Sequence, residues 1–129
     1  MTHPSVAIVD YGAGNLFSVA SAVRAVGVED PIVTDDPGEI ESADRVVLPG
    51  VGAFGDGMKG LRERNLVSVL QDRAAADKPM LGVCLGMQLL METSDEFGTH
   101  EGLGAIPGNV RRLPSQPNLK VPLIGWEPL

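Results

Sequence analysis

Gly82-Val83-Cys84-Leu85-Gly86-Met87-Gln88 holds the only cysteine of the chain, with a glycine two positions to either side of it. The apolar run in front, Pro79-Met80-Leu81-Gly82-Val83, suits a buried strand, and residues 87–92 behind it suit a helix. A sharp strand-to-helix turn needs glycines on its flanks, because side chains there would collide with the backbone of a strained corner. Such a corner lifts the Cys84 sulfur out of the sheet and sets it at a helix start, where the dipole favours a thiolate. The pattern is a cysteine form of the nucleophile elbow. The competing reading is a small buried hydrophobe with no chemistry.

Upstream, the same alternation of strand and helix repeats. Val6-Ala7-Ile8-Val9 reads as a buried strand ending in Asp10, and the loop Tyr11-Gly12-Ala13-Gly14-Asn15 follows it. Leu16, Val19, Ala20, Val23 and Val26 then recur at helical spacing, with Gly27 as a stop. Pro31-Ile32-Val33-Thr34 is a second strand, and Asp36-Pro37-Gly38-Glu39-Ile40 leads into one helical turn. Arg45-Val46-Val47-Leu48 is a third strand, residues 49–57 are a glycine-rich loop, and residues 61–76 are helical. Four strands alternating with helices predict an α/β fold, a parallel sheet with helices on both faces. Beyond residue 92 the pattern weakens. Residues 94–104 read as a polar loop, and Val110-Arg111-Arg112-Leu113 and residues 121–126 as short strands around a proline-rich turn. Pro122 suits an edge or a strand start.

The loop Gly50-Val51-Gly52-Ala53-Phe54-Gly55 matches the dinucleotide fingerprint letter for letter. It follows the third strand rather than the first, however, and no acidic residue closes the next strand. A glycine loop can instead offer backbone N–H groups to a developing oxyanion. That use ranks above a plain turn here, and both rank above dinucleotide binding. Gly12-Ala13-Gly14-Asn15 lacks a third glycine and reads as a structural turn.

With 43% hydrophobic residues, 129 positions suffice for one domain with a real core. A net charge of -7 argues against nucleic-acid or anionic-membrane surfaces. No apolar run approaches the ~20 residues that cross a bilayer. A single cysteine excludes an internal disulfide, and Met1-Thr2-His3-Pro4-Ser5 does not read as a secretory leader, so a cytoplasmic protein is expected. His3 and His100 have no partners at ligand spacing, which predicts no metal.

Taken together, these motifs resemble a family. The cysteine stretch resembles the nucleophile motif of class I glutamine amidotransferases, and Pro49-Gly50-Val51-Gly52 resembles their oxyanion strand. Within that superfamily, Asp10-Tyr11-Gly12-Ala13-Gly14-Asn15-Leu16, Gly104-Ala105-Ile106-Pro107-Gly108 and Lys120-Val121-Pro122 with Ile124-Gly125-Trp126 resemble the glutaminase subunits of imidazole glycerol phosphate synthase. The resemblance implies a doubly wound, mostly parallel sheet flanked by helices, with residues 1–129 forming a C-terminally incomplete amidotransferase domain. It implies Cys84 as nucleophile and the backbone N–H groups of Val51 and Leu85 as oxyanion hole. Gly52, Gln88 and Glu96 would hold the substrate glutamine, Glu96 taking its ammonium. Trp126 would face a partner, the (β/α)8-barrel cyclase, and no cofactor is implied. Leu123 and Glu127 stand where the family usually has histidine and asparagine. The family's catalytic histidine and glutamate lie in a segment that nothing here matches. Two other readings stay open: a non-catalytic scaffold module, and a glutaminase serving a different acceptor.

Overall fold

Strand β1 (Val6–Val9) lies at the centre of a four-stranded sheet and is buried along its whole length. The computed structural model describes residues 3–129; Met1 and Thr2, part of the stretch judged not to be a leader, lie outside the described residues. Strands β2 (Ile32–Thr34) and β3 (Arg45–Leu48) flank β1, and β4 (Met80–Gly82) lies beyond β3. All pairings in this sheet are parallel, and the order β2-β1-β3-β4 reverses direction once, next to β1. This is the doubly wound arrangement, and the turns after β1 and β3 open at its carboxyl edge.

Alternation along β1 decides which helix covers which face. Val6 and Ile8 pack with Val47 against helix α1 (Leu16–Ala25), through Leu16, Val19, Ala20 and Val23. Asn15 caps that helix by accepting from the Ser18 N–H at 3.2 Å, and Gly27, with φ of 100°, follows its end. Ala7 and Val9 face the larger core beneath α2 (Pro37–Ser42), α3 (Phe54–Glu63), α4 (Val67–Ala75) and α5 (Leu85–Leu89). Asp36 caps α2, accepting from Gly38 and Glu39 N–H at 2.7 and 3.2 Å, with Pro37 in the first turn.

Arg73 of α4 is buried and ties α2 to the sheet, since its Nη2 donates to the carbonyl of Pro79, just before β4, at 3.3 Å. Its Nη1 donates to the carbonyls of Ile40, Glu41 and Ala43 at 3.0, 3.1 and 2.8 Å. Those carbonyls belong to the last turn of α2 and the residue after it, where intrahelical donors run out.

Several expectations are corrected. The single helix over residues 61–76 is two helices, α3 and α4, broken at Asn65, whose φ is 57°. The glycine-rich stretch that reads as loop already turns helical at Phe54, because Gly57 and Gly60 are contact points. A Cβ at Gly57 would lie 3.1 Å from Leu85, and one at Gly60 would strike the Tyr11 carbonyl. Strand β4 is not buried: Leu81 is 60% exposed, since it lies on the edge with no helix over its outer face.

The helix expected over residues 87–92 ends at Leu89. Met91 opens strand β5 (Met91–Ser94), which pairs with β6 (His100–Glu101) and with β7 (Ile106–Val110) in a second sheet. Residues 111–113 and 121–126 form no strand. They lie exposed around Pro114, Pro117 and Pro122, which supply no N–H to a ladder.

Candidate active site

The elbow is built as the glycine spacing predicts. Cys84 joins β4 to α5 with φ of 55° and ψ of -120°, the first central position of a type II′ turn that glycine ordinarily occupies. The Gly86 N–H closes that turn onto the Val83 carbonyl at 2.9 Å. A non-glycine residue in such a well costs about 1–3 kcal/mol and persists only where its surroundings enforce it. They do so on both sides. A Cβ at Gly82 would come within 2.7 Å of the Met87 Cα, and one at Gly86 would strike the Leu48 carbonyl oxygen. Strand and helix therefore cross too closely for any side chain, and Cys84 is left exposed. Burial of Cys84 as a small hydrophobe is excluded.

The glycine loop after β3 lies directly against this corner. A Cβ at Gly50 would run into the Tyr11 hydroxyl and would lie 2.9 Å from the Leu85 Cβ. The Gly50 carbonyl accepts from the Leu85 N–H at 3.2 Å. One expected oxyanion donor, Leu85, is thus already bonded to the neighbour of the other, Val51. Val51 is exposed, and Gly52 has φ of 102° with open space where a Cβ would stand. The loop at residues 12–15 borders the same place, since a Cβ at Gly14 would lie 3.3 Å from the Gly50 nitrogen.

Gln88 and Glu96 share a cavity of about 490 Å³, with Asp95, Arg111, Arg112 and Leu123 also on its walls. Gln88 reaches it from one helical turn after Cys84, its N–H donating to the Cys84 carbonyl at 3.3 Å. Glu96 has a second engagement that its position in the sequence does not reveal. One carboxylate oxygen accepts from the Phe54 N–H at 2.9 Å, capping α3, whose own N-cap residue Ala53 offers no side-chain acceptor. The Glu96 carboxylate is therefore tied to the helix that follows the glycine loop.

Trp126 is fully exposed, Leu123 and Ile124 are exposed to a lesser degree, and Glu127 is also at the chain surface. His3 is exposed near the chain start. His100 stacks on α3, where a Cβ at Gly55 would come within 2.8 Å of its Cε1, and its Nε2 lies 3.2 Å from the Phe97 carbonyl. Neither histidine hydrogen-bonds to Cys84 among the described residues. Nor does any group of three His, Cys, Asp or Glu among them suit a metal, and no helix there is long and apolar enough to cross a membrane.

Sequence reasoning missed Tyr11. It is buried, it donates to the Pro49 carbonyl at 2.5 Å, and burial together with the nearby Cys84 thiolate pushes its ionisation well above the ordinary phenol range. The available signal was an aromatic residue with a polar tip just past a buried strand, at the edge where sites in this fold class collect.

Comparison with known proteins gives the family. The family model "Glutamine amidotransferase class-I" matches residues 7–121. Three proteins named "Imidazole glycerol phosphate synthase subunit HisH" are close in sequence. That of Symbiobacterium thermophilum is 54% identical over 121 residues, covering 94% of this chain and 56% of its own length. The Aquifex aeolicus protein is 52% identical over 122 residues, with 95% and 58% covered. The Thermosynechococcus vestitus protein is 49% identical over 129 residues, with 100% and 61% covered. The chain thus spans somewhat over half the length of these relatives. Among solved structures, a putative peptidase E of Listeria monocytogenes superposes with a TM-score of 0.54 at 18% identity, covering 71% of this chain and 52% of its own, which speaks for the fold alone.

Proposed function

The chain belongs to the class I glutamine amidotransferase family, and from that premise we propose that it is the nucleophile-bearing part of a glutaminase subunit in histidine biosynthesis. Residues 1–129 are read as part of one amidotransferase domain, acting in the cytoplasm without a cofactor. The observation that carries the reading is Cys84 itself, a non-glycine residue at φ 55° in a corner closed by Gly82 and Gly86.

The Cys84 thiolate attacks the side-chain amide carbon of glutamine, and the carbonyl π electrons move onto oxygen. The oxyanion so formed is held by the N–H groups of Leu85 and Val51. For this the Gly50–Val51 peptide has to turn, because the Gly50 carbonyl now occupies the Leu85 N–H. The oxyanion then collapses and the C–N bond breaks as the nitrogen takes a proton from a solvent water, so that ammonia leaves and a γ-glutamyl thioester and hydroxide remain. Water hydrolyses the thioester to glutamate and the free thiol. Gln88 and the second oxygen of Glu96 hold the amino-acid end in their common cavity. The ammonia passes to a (β/α)8-barrel cyclase that makes imidazole glycerol phosphate, with Trp126 on the surface facing it.

A second reading is a scaffold module without catalysis, favoured by the same Gly50–Leu85 bond. Acylation separates the two. Incubation with γ-glutamyl 4-nitroanilide should place one γ-glutamyl group on Cys84, detected by mass, while steady ammonia release from glutamine by these 129 residues alone stays negligible, because neither histidine hydrogen-bonds to Cys84 among the described residues. Gly52→Val should slow acylation about 10²–10³-fold, because a β-branched residue does not tolerate the φ of 102° there and the loop must shift, misplacing the Val51 donor. No acylation of the unsubstituted chain would favour the scaffold. Sustained turnover abolished by His100→Ala would mean that this histidine serves as the base.

A further inference from the structure

Two consecutive carbonyls of the glycine loop are tied down, by different partners. The Gly50 carbonyl is held by the Leu85 N–H at 3.2 Å, and the Pro49 carbonyl by the Tyr11 hydroxyl at 2.5 Å. If Leu85 is to serve an oxyanion, the first tie must be released. The second belongs to the preceding peptide unit and need not be. Tyr11 is well suited to persist. It is 1% exposed, it lies two residues past the central strand, and its hydroxyl fills the space where a Gly50 side chain would be. Proline at position 49 has no N–H, so this carbonyl bond is the only polar hold that its own backbone can make.

We infer that Tyr11 is a positioning residue of the glutaminase site: its hydroxyl anchors the Pro49 carbonyl, so that only the Gly50–Val51 peptide turns and the Val51 N–H arrives beside Cys84. The inference rests on the glutaminase reading. Tyr11 touches neither substrate nor reacting atoms in it; it decides where a donor arrives. The phenol remains a donor throughout, because burial and then the Cys84 thiolate both oppose its ionisation.

The chain has one tyrosine and one cysteine, so both ends of this relation can be probed without ambiguity. The measurement is the pre-steady-state burst of 4-nitroaniline from γ-glutamyl 4-nitroanilide, divided by the rate of Cys84 alkylation by iodoacetamide. Alkylation needs the thiolate but no oxyanion hole. Tyr11→Phe should lower the ratio about tenfold, the equivalent of one neutral hydrogen bond. The half-saturating anilide concentration should stay unchanged, because the substrate cavity is built from other residues. Replacing the single tyrosine by 3-fluorotyrosine, which keeps the donor, should preserve the ratio.

If Tyr11→Phe does not fold, 3,5-difluorotyrosine takes its place. Its phenol loses a proton more readily, and the ratio should fall as that phenol ionises, followed by its own absorbance. An unchanged ratio in either variant, or burst and alkylation falling together, overturns the Tyr11 assignment alone. An unsubstituted chain that alkylates normally yet gives no burst overturns the glutaminase reading, and this inference with it.

Discussion

Gly86→Ala sets two opposing effects against each other at the elbow. Position 86 lies inside α5, where alanine is the better helix former by about 1 kcal/mol. The added methyl, however, would strike the Leu48 carbonyl oxygen and lie 2.6 Å from its carbon and 2.9 Å from the Pro49 oxygen. All three atoms are backbone at the end of β3, so no rotamer change relieves the contact. Ordinary van der Waals separation needs α5 to withdraw by roughly 1.5 Å, and forced insertion of a methyl into such packing costs about 1–3 kcal/mol. The Leu48 carbonyl also accepts the Val83 N–H at 2.9 Å, and disturbing that bond adds about 1 kcal/mol. The steric side wins. The net expectation is a loss of about 1–3 kcal/mol against the combined cost and the propensity gain. Urea denaturation should show it as a midpoint lowered by about 1 M at unchanged slope, with Cys84 alkylation altered in the same sample. A midpoint that stays put or rises would mean that helix propensity acts alone, and that α5 does not bear on the Leu48 carbonyl.

Arg73→Met removes the donor of three carbonyls between 2.8 and 3.1 Å and should cost about 3 kcal/mol; a urea midpoint equal to that of the unsubstituted chain would refute its role as the tie between α2 and the sheet. The Ser5 N–H, at 2.7 Å, and then the Ser5 hydroxyl hold the Asp44 carboxyl below its usual range. Its contribution is present above the unfolded value of about 3.9 and disappears as pH falls through the lower folded value, so Asp44→Asn should flatten the acid limb of stability against pH. Tyr11 has the opposite sign. Its ionisation is raised by burial, so its contribution is present below the unfolded value of about 10 and is lost as pH rises above it. Tyr11→Phe should therefore flatten the alkaline limb, and an unaltered limb in either variant counts against the corresponding assignment.

The parts of the molecule legible from the amino-acid order are those whose cause is local. Val6-Ala7-Ile8-Val9 and Arg45-Val46-Val47-Leu48 read as strands at their observed bounds, because a strand buried on both faces must be apolar at nearly every position. The corner at Cys84 was legible because its strain has to be admitted by neighbours two residues away. The helix over Phe54–Glu63 was not, since three glycines within it speak for a loop. Gly57 and Gly60 are there because α5 and the Tyr11 carbonyl press against them, a fact of packing between distant segments. Asn65 likewise breaks a helical pattern that runs on past it in the sequence. The second sheet was missed because β6 is two residues long and is defined by its partner rather than by a pattern of its own. At the site the division is the same. The strained elbow at Cys84 is a property of seven consecutive residues. The Tyr11 anchor and the Glu96 cap join groups 38 and 42 positions apart, and only the folded chain, by bringing the carboxyl edge of the sheet and the start of α3 together, makes those hydrogen bonds exist.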